Sequence, residues 1–98
     1  MILPELESYQ MRLEERARAW DESTETDLER DAAQCAQQVA LLEKGIGEFT
    51  ATIGRIPQEF AEEISRLRHR IDVLTQTRDL TGAYLHVLRN HLQRRQRA

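Results

Sequence analysis

The sequence predicts an all-α protein, an antiparallel helical hairpin with coiled-coil-like packing. A third helix near its amino end is an open alternative. Apolar residues recur at alternating steps of three and four, the spacing of a heptad repeat, along most of the chain. Only two Pro and four Gly occur in 98 residues, too few for the many turns of a β protein. Gly54 and Pro57 lie together near the middle and indicate one turn between two long helices.

The first predicted helix covers about residues 4–53. Its apolar stripe is strong from Leu28 onwards and weaker but traceable upstream of that residue. A polar stretch at residues 21–26 leaves two interpretations open. Thr26 and Glu29 fit a capping box that would begin a new helix, whereas the absence of Gly and Pro favours a continuous one.

A tight turn is predicted at about residues 54–56, followed by a second helix over about residues 57–94. Gly54 suits a left-handed helix end, and Pro57 suits the first turn of a helix, where no amide hydrogen is needed. Two helices joined by so short a turn must return antiparallel.

The predicted pairing of the two arms folds the chain about residue 55, so that the numbers of facing residues add up to about 110. Asp31 would then lie near Arg78, and the first fifteen residues would extend beyond the hairpin. Charge favours this pairing, because residues 1–53 hold 12 acidic and 5 basic residues, whereas residues 54–98 hold 5 and 9.

The predicted interface is the heptad stripe itself, which we call the seam. Arg78 and Thr81 interrupt it. Several apolar residues beside it, among them Leu41 and Tyr84, widen the apolar face beyond what one facing helix can cover, so a third helix from this chain or another is expected. The seam residues expected to form the interface are Leu28, Val39, Leu42, Ile46, Phe49, Ile53, Phe60, Ile64, Leu67, Ile71, Leu74, Leu85, Leu88 and Leu92.

A second candidate contact lies near the amino end, where Tyr9, Leu13 and Trp20 share the weaker part of the stripe. Buried Trp and Tyr side chains often dominate the energetics of an interface, so these residues are a possible anchor for a partner. The alternative is that Trp20 packs against Leu88 or Leu92 within its own hairpin.

No catalytic, cofactor or metal site is predicted, and we expect a protein that is not an enzyme. His86 and His91 are five residues apart and point to different faces of a helix, so they do not form a two-histidine metal site. Cys35 falls on the predicted seam and reads as a small core residue rather than a nucleophile.

The expected partners are proteins, either further copies of this chain or other helical chains. The net charge of −3 disfavours nucleic-acid binding, although the basic residues from Arg89 to Arg97 keep it as a minor alternative. No stretch is long and apolar enough to span a membrane, and no secretory signal is recognisable, so a cytoplasmic location is expected with a nuclear one left open.

In architecture alone, the chain resembles the small helical-hairpin chaperones of bacterial export systems and the coiled-coil subunits of eukaryotic scaffolds. The resemblance rests on periodicity and transfers no functional residue. The widened apolar face favours a non-enzymatic coiled-coil subunit that assembles with itself or other helical chains. The alternative is a chaperone or adaptor that covers an amphipathic helix of a client in the groove between its arms.

Overall fold

The computed structural model describes residues 1–97, which form three α-helices and no β-strand. The all-α class and the hairpin-like arrangement of two long helices are confirmed, and a third, shorter helix precedes them. Short 3-10 turns at Pro4–Leu6 and Trp20–Glu22 flank this shorter helix. The helices are α1 (Glu7–Arg18), α2 (Glu25–Ile53) and α3 (Ala61–Arg97).

The polar stretch before α2 breaks the first predicted helix in two. Ser23 and Thr24 have extended backbone, with ψ of 151° and 154°. The Thr24 hydroxyl accepts a hydrogen bond from the amide of Asp27 at 3.1 Å, so Thr24 is the N-cap of α2. The capping box predicted at Thr26 was therefore placed two residues too late. Glu25 and Asp27 add negative charge in the first turn, where the helix dipole favours it.

The turn between α2 and α3 is longer than predicted and occupies residues 54–60. Gly54 has a right-handed φ of −63°, so the predicted left-handed helix end does not form. The carbonyl of Pro57 accepts a hydrogen bond from the amide of Phe60 at 3.0 Å, which closes an extra turn before the helix. As a result α3 begins at Ala61, four residues later than predicted, and continues to Arg97.

The longer turn also changes the pairing of α2 with α3. A side chain at Gly45 would contact Leu74, and the Arg70 guanidinium lies 5.6 Å from the ring centre of Phe49. Facing residue numbers at these contacts add up to about 119 rather than to the predicted 110. The predicted pairing of Asp31 with Arg78 does not form, because Asp31 accepts a hydrogen bond from Tyr84. The Arg78 guanidinium donates to Asp79 instead.

The amino-terminal segment folds back along α3 instead of extending beyond the hairpin. Just before the first 3-10 turn, the amide of Leu3 donates a hydrogen bond to the side-chain oxygen of Gln76 at 2.7 Å. The Tyr9 hydroxyl lies 2.6 Å from Thr81 Oγ1, and Trp20 Nε1 donates to the Tyr84 hydroxyl at 3.1 Å. These contacts advance together along both elements, so α1 runs parallel to α3 and antiparallel to α2.

The molecule is an elongated body of 59 × 23 × 16 Å with two unlike halves. We call residues 1–38 together with 75–97 the three-helix end, and residues 39–74 the hairpin tip. Every buried residue of the described chain lies in the three-helix end: Leu6, Leu13, Trp20, Leu28, Ala32, Cys35, Thr81, Tyr84, Leu85, Leu88 and Leu92. The core is therefore confined to the half of the hairpin that α1 covers.

We predict that Leu88→Ala lowers the free energy of unfolding by about 2–5 kcal/mol, because Leu88 is 0% exposed and truncation would leave a cavity. Urea unfolding followed by circular dichroism measures this change. Leu41→Ala is the matched control, since Leu41 is 62% exposed on the same fold. Equal losses in the two variants would contradict the position of the core.

Candidate interaction surfaces

The three-helix end is held by one continuous apolar cluster with a polar network at its edge. α1 contributes Leu13, and the following 3-10 turn contributes Trp20. The Trp20 ring is tilted against that of Tyr84 with centres 5.3 Å apart, and against that of His91 at 5.4 Å. Trp20 therefore packs against side chains of α3 within the three-helix end.

Asp31 of α2 is the centre of the polar network. Its carboxylate accepts hydrogen bonds from the Arg16 guanidinium of α1 and from the Tyr84 hydroxyl of α3. The Cys35 thiol lies 3.7 Å from the same carboxylate. One charged side chain thus joins all three helices, and hydrogen bonds to a charged group are stronger than those between neutral groups.

The Tyr84 hydroxyl is saturated by this arrangement, because it donates its proton to Asp31 and accepts from Trp20. The Arg16 guanidinium lies 4.8 Å from the Tyr84 ring centre, within the range of a cation–π interaction. Burial, together with the hydrogen bond to Asp31, raises the pKa of Tyr84 to about 12. The phenol therefore stays neutral and serves as a fixed donor.

Cys35 lies deep in this cluster and is 1% exposed. Burial raises the pKa of its thiol, and the negative charge of Asp31 raises it further. Because the thiolate is the nucleophilic form of cysteine, these surroundings suppress its reactivity. Cys35 therefore contributes to the packing of the three-helix end as a small buried side chain.

His69 lies in the hairpin tip, whereas His86 and His91 lie in the three-helix end, five residues apart along α3. His69 Nε2 lies 2.8 Å from Glu5 Oε2, and His91 Nε2 lies 3.9 Å from Asp21 Oδ1. Within residues 1–97, no three His, Cys, Asp or Glu side chains converge as metal ligands would.

The hairpin tip presents a different surface. Its seam has only two helices, and the apolar side chains along it are partly exposed. Leu41, Leu42, Gly45 and Leu74 line an open groove of about 360 Å³ that begins beside Tyr9. Leu41 is the most exposed residue of this lining that has a large apolar side chain. Gly45 keeps the groove deep, because its missing side chain would contact Leu74 at 3.7 Å.

The predicted seam residues divide between the two halves of the molecule. Leu28, Leu85, Leu88 and Leu92 are buried in the three-helix end. The predicted position of Phe60 in the second helix was wrong. Phe60 lies in the turn before α3 and is 48% exposed, because the turn is longer than predicted. The remaining seam residues are partly buried along the hairpin tip: Val39, Leu42, Ile46, Phe49, Ile53, Ile64, Leu67, Ile71 and Leu74.

The predicted anchor of Tyr9, Leu13 and Trp20 also needs correction. Leu13 and Trp20 are buried within the chain itself, and Tyr9 packs against the same core. The physical reason is that α1 folds back on α3. The alternative interpretation, in which Trp20 packs near Leu88 and Leu92, agrees with the cluster that contains all three residues.

Sequence reasoning missed the roles of Arg16 and Asp31, which heptad spacing places outside the seam. The available signal was Tyr84, an aromatic residue with a polar tip beside the seam, which when buried needs a hydrogen-bond partner. Which acidic residue accepts this hydrogen bond depends on the register of α2 against α3, and many acidic residues were available.

Comparisons with protein-family models, curated proteins and solved structures found no match to this chain. In residues 1–97 no helix combines the length and the apolar character needed to cross a membrane.

We predict that Asp31→Asn lowers the free energy of unfolding by about 1–3 kcal/mol, because Arg16 and Tyr84 lose a charged acceptor near the core. Asp79→Asn is the control, since Asp79 pairs with Arg78 on the surface and should change stability by less than about 0.5 kcal/mol. Chemical unfolding monitored by Trp20 fluorescence distinguishes the two. A neutral Asp31→Asn would show that the network does not stabilise the fold.

Alkaline pH should weaken the fold through Tyr84. Below pH 10 the phenol keeps its proton in both the folded and the unfolded chain, so its contribution to stability is fully present. Between pH 10 and about 12 only the folded chain keeps the proton, so stability falls as the pH rises. Denaturant midpoints measured across this window should fall less steeply in Tyr84→Phe, and identical slopes would refute the assignment.

Proposed function

We propose that the protein is a non-enzymatic helical subunit that binds an amphipathic helix of another protein chain along its hairpin tip. The main support is a contrast along the seam. The seam is buried in the three-helix end, where α1 covers it, and partly exposed in the hairpin tip, which has no third helix. A third helix is the natural cover for a helix pair, because it can place its own apolar side chains between those of α2 and α3.

The groove itself supports a helical ligand. It begins beside Tyr9 in the early part of α1, so a helix in the groove would take the third position that α1 takes at the other end. Its lining is almost entirely apolar, with Gln38 and Thr77 supplying the polar side chains besides Tyr9. Apolar grooves of this kind are filled by residues spaced three and four apart on an amphipathic helix.

Charge around the hairpin tip favours recognition by shape and apolar contact. Residues 39–74 hold 6 acidic and 5 basic residues, so the tip is almost neutral. Without a strong field of one sign, neither a polyanion nor a strongly basic helix is selected. The basic carboxyl end is also partly engaged within the chain, because Arg95 donates to the carbonyl of Ser23 at 3.0 Å.

The alternative function, a chaperone or adaptor that covers a client helix, would use the same groove. The two functions differ in the lifetime of the complex. A scaffold subunit keeps its partner helix, whereas a chaperone must release it, so dissociation rates measured on a purified complex separate them.

The function is tested with a fluorescently labelled amphipathic peptide that carries leucine at its a and d positions. We expect the chain to bind this peptide, and Leu41→Glu to weaken binding at least about tenfold, because a charge replaces an apolar contact in the groove. Fluorescence anisotropy gives both affinities.

Met11→Glu is the matched control, since Met11 is 59% exposed on α1 and is not among the groove-lining residues. It should change the affinity less than about twofold. Failure of the unmodified chain to bind, or equal weakening by both variants, would refute the groove as a helix-binding site.

A further inference from the structure

The connection between α1 and α2 differs from a continuous helix at very few backbone positions. Ala19 is already in the right-handed helical region, with φ −91° and ψ 0°, and Trp20–Glu22 forms a 3-10 turn. Only Ser23 and Thr24 are extended there, with φ of −92° and −73°. Rotation of ψ at these two residues, with a small adjustment of the 3-10 turn, would join α1 and α2 into one straight helix.

The sequence of the connection is compatible with that straight helix. The stripe passes through Leu13, Ala17, Trp20, Thr24 and Leu28 at steps of four, three, four and four, so both segments would present their apolar residues on one face. No Gly or Pro lies between residues 19 and 27 to prevent it.

The backbone groups of the connection have hydrogen-bond partners in both forms. In the folded-back form the amide of Asp27 donates to the Thr24 hydroxyl, and the carbonyl of Ser23 accepts from Arg95. In a straight helix the amide of Asp27 would donate to the carbonyl of Ser23, and the unpaired groups at the two facing helix ends would satisfy one another.

We propose that a second copy of this chain accepts α1 in place of the chain's own α1, which gives a domain-swapped dimer. A straight α1–α2 helix would carry α1 beyond the three-helix end of its own hairpin. In an antiparallel, end-to-end pair, α1 of each chain then lies on α3 of the other in the direction it has in the monomer. Trp20 would meet the partner copy's Tyr84, and Arg16 would meet the partner copy's Asp31.

The second copy is the fitting partner because every contact of the swap already exists within one chain. The acceptor surface on α2 and α3 matches α1 in its apolar core and in the hydrogen bonds of Trp20, Tyr84 and Asp31. Exchange of an identical element between copies therefore needs no new complementary surface. The proposal concerns the three-helix end and does not depend on the groove at the hairpin tip.

Substitutions at the connection test the swap directly. Glu25→Pro suits the folded-back form, because residue 25 is the first helical position of α2 and follows an extended residue. In a straight helix the same proline is internal and should lower the equilibrium constant for opening about 100-fold per chain. Glu25→Ala is the matched control, since it also removes the contact with Gln96 but permits both forms.

Thr24→Ala should act in the opposite direction. It removes the N-cap that the folded-back form uses, and should favour opening about fivefold per chain. Light scattering coupled to size-exclusion chromatography across a concentration series measures the dimer fraction. We expect a larger dimer fraction for Thr24→Ala than for the unmodified chain. Glu25→Pro should be monomeric and still helical by circular dichroism.

Cross-linking identifies which segment is exchanged. Chains carrying Cys35→Ala with Glu5→Cys are mixed with chains carrying Cys35→Ala with His69→Cys, since the Glu5 and His69 side chains lie 2.8 Å apart in the monomer. A short bis-maleimide should join unlike chains after incubation at high concentration, and Glu25→Pro in both chains should abolish the product.

The swap is overturned if Thr24→Ala stays monomeric at every concentration. It is also overturned if a dimer persists in Glu25→Pro without the cross-linked product. Sensitivity of that dimer to Leu41→Glu would assign it to the hairpin tip, so the swap would fail while the proposed groove remained.

Discussion

The limited width of a two-helix contact governs this structure. Each helix of a pair buries one narrow stripe against its neighbour, and residues on either side of the stripe remain in water unless a third element covers them. α1 supplies that cover along only part of the hairpin. The core and the Asp31 network follow from its presence at one end, and the open groove beside Leu41 and Leu42 follows from its absence at the other.

The polar network and the apolar core depend on each other at the three-helix end. Trp20 and Tyr84 fill the space between α1 and α3, yet both carry a polar atom that must be bonded when buried. Asp31 meets the requirement of Tyr84, and Arg16 compensates the charge of Asp31. The position of α1 is therefore fixed by groups that are unsatisfied if it detaches, unless an identical surface replaces the one it leaves. A second copy of the chain offers such an identical surface, which is why the network at the three-helix end is compatible with the proposed exchange of α1 between copies.

The connection at Ser23 and Thr24 shows how far local sequence specifies the path of the chain. The stripe through Leu13, Trp20 and Leu28 is continuous, and a helix through these residues violates no local rule. The break is stabilised instead by the Thr24 cap and by what α1 buries against α3. The longer turn around Pro57 is a similar case, because proline permits a helix start at that position without requiring one.

The sequence by itself determined the all-α class and the hairpin-like arrangement of two long helices, because heptad spacing is a local property that burial enforces in any such pairing. It also indicated that the apolar face is too wide for two helices. Tertiary structure decided the direction of α1, the register of α2 against α3 and the partners of Asp31. These depend on the exact length of a turn and on side chains more than fifty residues apart in the chain, which local spacing does not encode.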